Sequence, residues 1–131
     1  MKERFFHIEF FKTKDDYIAI EYNNRPAGAF AVDVYNFAHS TDYFRVYAEV
    51  ANGTFNGLNV DEKYGLASTR RDYKDYVYSD EDIRNKYQDK LKAVLRMPEA
   101  FAELQGNTMY VLVADTLEEM KEMERFVGKL K

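Results

Sequence analysis

The sequence has no cysteine and no tryptophan. Without thiols, neither disulfides nor thiolate–zinc sites can hold the fold together, and such a chain suits a reducing compartment, so a cytoplasmic setting is expected. Histidine occurs only twice, as His7 and His39, and no spacing with carboxylates suggests a transition-metal site. Neither a metal nor another cofactor is therefore expected. No stretch approaches the roughly 18 apolar residues that a membrane span requires. The opening "MKERFFHIEFFK" has too short an apolar run, broken by His7 and Glu9, to read as a signal peptide. No glycine-rich phosphate loop occurs, because "NGTFNG" lacks the lysine and the following helix that such a site needs. A net charge of −4 argues against the broad positive footprint of a DNA-binding protein.

What the chain does have is aromatic surface. Eleven tyrosines and ten phenylalanines stand among 131 residues, and tyrosine joins a large apolar face to a polar tip, which suits half-wet interfaces. With 46% hydrophobic and 32% charged residues, the composition is that of a soluble globular protein, and the length fits one domain, 1–131.

The first sixty residues alternate with the period of strands. In "RFFHIEFFK", Phe6, Ile8 and Phe10 share one side and Phe5, His7, Glu9 and Phe11 the other. "TKDD" reads as a turn, and "YIAIEY" alternates again. "NNRPAG" is a cluster of turn formers. Segment 29–38 fits either of two periods. Phe30, Val32 and Val34 alternate, whereas Phe30, Val34 and Phe37 satisfy a helix, and the β-branched residues and preceding turn favour a strand. "DYFRVYAEVA" reads as a strand with Phe44, Val46, Ala48 and Val50 inward. "NG" at Asn52–Gly53 then reads as a type I′ hairpin returning through "TFNGLNV".

Residues Asp61–Tyr78 are polar without a sustained period and read as a long loop. Ser79 with Asp82 predicts a capping box opening a helix whose stripe is Ile83, Tyr87, Leu91, Val94 and Leu95. "PEAFAELQ" predicts a short helix ended by Gly106, and "TMYVLVA" a strand buried on both faces. A last helix follows, capped by Thr116 with Glu119. The fold class is thus expected to be α+β: an antiparallel meander of about five strands plus one later strand, with two or three C-terminal helices packed on one face.

On that expectation the opposite sheet face would carry Tyr35, Tyr43, Arg45 and Tyr47 free for contact, a Tyr/Arg mixture in which interface cores are enriched. A second candidate group, Arg70, Arg71 and Tyr73, lies in the expected loop. The preferred reading is a small non-enzymatic interaction protein that meets a protein partner or a second copy through these residues. A compact, acidic, tyrosine-rich chain of this kind would also suit a phage or mobile-element inhibitor of a host protein. Two alternatives stay open. A nucleotide or single-stranded nucleic acid could stack on Tyr35, Tyr43 or Tyr47, with its phosphates at Arg45, Arg70 and Arg71. An acid–base enzyme could use His7 with Glu9 or Asp33.

Overall fold

The computed structural model describes residues 4–131, so the first three residues of the opening stretch lie outside the described residues. It is α+β with antiparallel sheets, in the order β1 (His7–Lys12), β2 (Tyr17–Asn23), α1 (Ala31–His39), α2 (Tyr43–Asn52), β3 (Tyr64–Arg70), α3 (Asp80–Lys86), β4 (Leu91–Arg96), α4 (Glu99–Gln105), β5 (Thr108–Ala114) and α5 (Leu117–Gly128). The class is as expected. The arrangement is not a meander: β1 and β2 form a separate two-stranded sheet, and the second sheet runs β3-β5-β4 with β5 in the centre. Among the described residues no helix is long and apolar enough to cross a membrane.

β5 anchors the second sheet. Its run of apolar side chains is buried on both faces, and each face meets its own helices. Tyr110 and Leu112 face α3 and α5, packing with Leu66, Ile83, Met123 and Val127. Met109 and Val111 face the other way, onto Val34 of α1. Burying each such large side chain stabilises the fold by roughly 1.5–3 kcal/mol. Helices therefore cover both faces of this sheet, which corrects the expectation that they pack on one.

Three expected strands are not strands, for local physical reasons. Segment 31–39 is a helix because Val34 and Ala38, one turn apart, are the residues that become buried. Segment 43–52 is a helix because Asp42 caps it, its carboxylate accepting from the Phe44 and Arg45 amides. The Asn52–Gly53 pair, expected to turn a hairpin, ends this helix instead. Only Gly53 takes positive φ (70°), and the Thr54 amide reaches back to the Glu49 carbonyl at 2.9 Å. With α2 helical, "TFNGLNV" has no strand to return along.

Two further segments depart from expectation. Residues 64–70, expected within the loop, are β3. Their small residues hide the strand signal but allow α1 to lie close. A Cβ on Gly65 would sit 2.5 Å from a Val34 methyl and 3.3 Å from the Ala38 Cβ. The helix from Ser79 ends at Lys86 with Tyr87 as its C-cap, and Leu91, Val94 and Leu95 of its expected stripe belong to β4. There a register shift between Leu91 and Ala93 places Leu91 and Val94 against one core and Ala93 and Leu95 against the other. A bulged strand thus mimics a helical spacing of three. The Ser79–Asp82 capping box forms as expected. At α5 the Thr116 hydroxyl accepts from the Glu119 amide, but the Glu119 carboxylate accepts from Asp115 rather than from the cap residue. Lys90 then bridges Asp115 and Glu119, and its hydrogen bonds hold both carboxyls below their ordinary range.

Arg70 closes the assembly. The side chain is 7% exposed, and Nε donates to the Val127 carbonyl at the end of α5 while Nη1 donates to the Tyr78 carbonyl, both at 2.8 Å. Replacing it by Met removes two charge-assisted hydrogen bonds, and Arg70→Met is expected to destabilise the protein by about 3 kcal/mol. A drop in the urea midpoint at unchanged slope would check this, and an unchanged midpoint would refute it. Gly65→Ala forces α1 off β3 and should cost about 1–3 kcal/mol. An unaltered melting temperature would show that α1 can retreat freely.

Candidate functional site

The hairpin of β1 and β2 is the least covered part of the described chain. Its turn is tight: the Thr13 amide and hydroxyl both donate to the Asp16 carbonyl at 2.9 Å. Its register contains one irregularity. Ile8 pairs with Tyr22 and Glu9 with Glu21, but Phe10 pairs with Ala19 and Lys12 with Tyr17, leaving Ile20 as the extra residue. Alternation on β1 is kept and alternation on β2 is shifted, so Tyr17 joins Tyr22 on the side of Phe6, Ile8 and Phe10. Ring contacts agree with this pairing, Phe6 against Tyr22 at 6.2 Å and Phe10 against Tyr17 at 6.4 Å. The other side is mixed, with His7, Glu9 and Glu21 among Phe11 and Ile18.

On this aromatic side, Phe6, Ile8 and Phe10 were expected to face the helices and Tyr17 to lie on the opposite face. Instead its five large residues range from 39% exposed (Ile8) to 61% (Tyr17). Neither strand makes an extensive contact with a helix or with the second sheet. The signal was present in the sequence as the doublets Phe5–Phe6 and Phe10–Phe11, which place aromatics on both sides of one strand. It was assigned to a core that lies elsewhere.

At the root of the hairpin the aromatic population continues onto α1 and α2. Tyr35 and His39 are one turn apart on α1, and Tyr43 and Tyr47 one turn apart on α2. The helices are held together by the Asn36 side chain, which accepts from the Tyr43 amide at 2.7 Å. Tyr43 contacts both Tyr35 and His39, its hydroxyl lying 2.8 Å from His39 Nδ1, and Phe5 sets its ring edge against Tyr43 and Tyr47 at 6.3 and 5.5 Å. Burial, and then the nearby Tyr35, push the Tyr43 phenol above its ordinary pKa. A cavity of about 390 Å³ opens here between Phe6 and Ile8 of the hairpin and Tyr35 and His39 of α1. Beside it, His7 Nδ1 is buried with no hydrogen-bond partner among the described residues, while Nε2 lies 3.5 Å from Glu9.

Of the residues singled out from the sequence, Tyr35, Tyr43 and Tyr47 do come together, but on two helices. The free sheet face expected to display them does not exist. Arg45 leaves this group. Two residues on from Tyr43 it points round the helix, pairs with Glu49 and lines a different groove with Asn36 and Asp42. Arg70 is buried and structural. Arg71 donates to the carbonyls of Glu103 and Leu104 at the end of α4, with its guanidinium 5.9 Å from the ring of Tyr73, the most open of the four candidate tyrosines. The three arginines expected to hold phosphates are thus committed to three separate places.

Phe5 joins the hairpin to the helical pair through its ring contacts with Tyr43 and Tyr47. Phe5→Ala should speed amide exchange in β1 and β2 while leaving exchange in β5 unchanged, because the two sheets are packed independently. Uniform acceleration in both sheets would show instead that the hairpin supports the core. No protein-family model, curated protein or solved structure matches this chain.

Proposed function

We propose that this chain is a small non-enzymatic binding protein that meets a protein surface through its aromatic hairpin and the adjoining Tyr35–Tyr43–Tyr47 cluster. The observation that carries this reading is the half-exposed face of Phe6, Ile8, Phe10, Tyr17 and Tyr22 on a sheet of two strands. A two-stranded hairpin is marginal in water unless something packs on it. Contiguous exposed apolar surface rimmed by polar groups marks interaction sites. Aromatic side chains give such a surface contact area at low entropic cost.

A second reading, a flat ligand held at the hairpin root, is favoured by the unpartnered His7 Nδ1 beside the cavity. A ligand of this kind would raise the melting temperature in a screen of planar compounds. Long nucleic acid is disfavoured by the net charge and by the dispersal of Arg45, Arg70 and Arg71.

The test uses the double variant Phe6→Ser/Phe10→Ser. The melting temperature should stay near that of the wild type, because both residues lie outside the core. Binding to a partner identified by capture and mass spectrometry should weaken by at least about tenfold, with little dependence on salt. Undiminished binding by the variant would refute the reading, and a steep loss with salt would point to nucleic acid instead.

A further inference from the structure

We infer that the aromatic face of the hairpin packs against the same face of a second copy of this chain, forming a two-fold dimer through Phe6, Ile8, Phe10, Tyr17 and Tyr22. The inference rests on the reading of the hairpin as a contact surface and names its occupant. Three observations lead to it.

The first is electrostatic. Residues 4–25 carry four cations (Arg4, Lys12, Lys14, Arg25) and four anions (Glu9, Asp15, Asp16, Glu21). The segment is neutral, so the whole net charge of −4 resides on the rest of the chain. Two copies that approach through their helices and second sheet repel each other, whereas two hairpins meet without that cost. On the aromatic face itself Lys12, at the tip, is the one formally charged position in the register.

The second is area. With an aromatic side chain presenting 150–250 Å² and these residues about half exposed, the face offers roughly 500 Å² on each copy, or about 1,000 Å² for the pair. That meets the threshold of about 1,000 Å² for a biological interface, and the root residues have to be added to reach the roughly 1,200 Å² of stable ones. The third is symmetry. A two-fold contact requires a patch complementary to itself, and two aromatic faces without opposed charges satisfy this by interleaving rings as stacked sheets do. A second copy also covers the hairpin whenever the protein is present, which a foreign partner cannot do for the free protein.

The experiment is sedimentation equilibrium on the full chain across a wide concentration range. The wild type should give twice the 15.5 kDa chain mass. Phe10→Asp should weaken the dimer about a hundredfold, as expected for removing a central aromatic anchor. Phe44→Asp, on the exposed side of α2, should leave it intact. Amide exchange of the wild type supplies a readout that does not depend on a variant folding. Residues 7–23 should gain protection as concentration rises, while β3 and β5 do not.

A wild type of 15.5 kDa at its highest soluble concentration overturns the proposal, as does a dimer that Phe10→Asp leaves unchanged. A monomer whose hairpin variant still loses its heterologous partner overturns the dimer alone and keeps the binding reading. A monomer whose hairpin variant loses nothing removes both.

Discussion

One guanidinium fastens the ends of the helical and sheet elements to one another. Arg70 closes β3, reaches the last turn of α5 through the Val127 carbonyl, and reaches the chain entering α3 through the Tyr78 carbonyl. The rings of Tyr76 and Tyr110 lie 4.5 and 5.5 Å from it. Its own carbonyl accepts from the Asn107 amide at 2.7 Å, where the chain enters β5. A buried cation is costly unless its donors are satisfied. Here two carbonyls, one of them at the carbonyl end of α5, accept from Nε and Nη1, and two π faces add to the compensation. The buried Nη2 has no hydrogen-bond partner among the described residues. Gly106 belongs to the same arrangement: its φ is +91°, and a Cβ added there would sit 3.0 Å from the Arg70 carbonyl oxygen and from the Thr69 side chain.

From that fastening the remaining contacts follow in order. With β3 and α5 tied together, residues 75–77 lie along 129–131 in a short antiparallel contact, and the Val77 amide donates to the Lys129 carbonyl at 2.9 Å. α5 then covers one face of β5 and α1 the other, so the central strand is shielded on both sides. Nothing in this arrangement requires β1 or β2. The two-stranded sheet is attached through Phe5 and the α1–α2 pair, and its aromatic residues contribute little to the two cores.

This division explains what could be read from the sequence. Elements whose signals are local were legible: the Ser79–Asp82 capping box, the turn at Thr13–Asp16, the doubly buried β5 and the helix after Thr116. Elements decided by tertiary contact were not. Tyr43, Val46, Tyr47 and Val50 fit a helix as well as Phe44, Val46, Ala48 and Val50 fit a strand, and the decision fell to the Asp42 cap and the Gly53 termination. β3 was hidden because Gly65 and Ala67 are small where α1 must approach. β4 was hidden because its bulge borrowed the spacing of a helix. The tyrosines of the candidate site were found by composition, although on the wrong scaffold, and Arg70 was mistaken for a ligand group because burial cannot be read from charge.

The exposed face of the hairpin carries a further lesson about how stability and recognition are distributed. A chain that needed Phe6, Ile8 and Phe10 for its core would have to trade contact surface against folding at each of those positions. Here the trade is avoided, because Ile83, Leu112, Met123 and Val127, all at 0% exposure, build a core without them. The aromatic face is then free to be fitted to whatever it meets. Its register depends on a single extra residue, Ile20, which sets Tyr17 on the same side as Tyr22. A hairpin paired without that bulge would turn Tyr17 to the opposite side while leaving the helices and the second sheet as they are. Which residues share the aromatic face is therefore set by strand register as well as by residue identity.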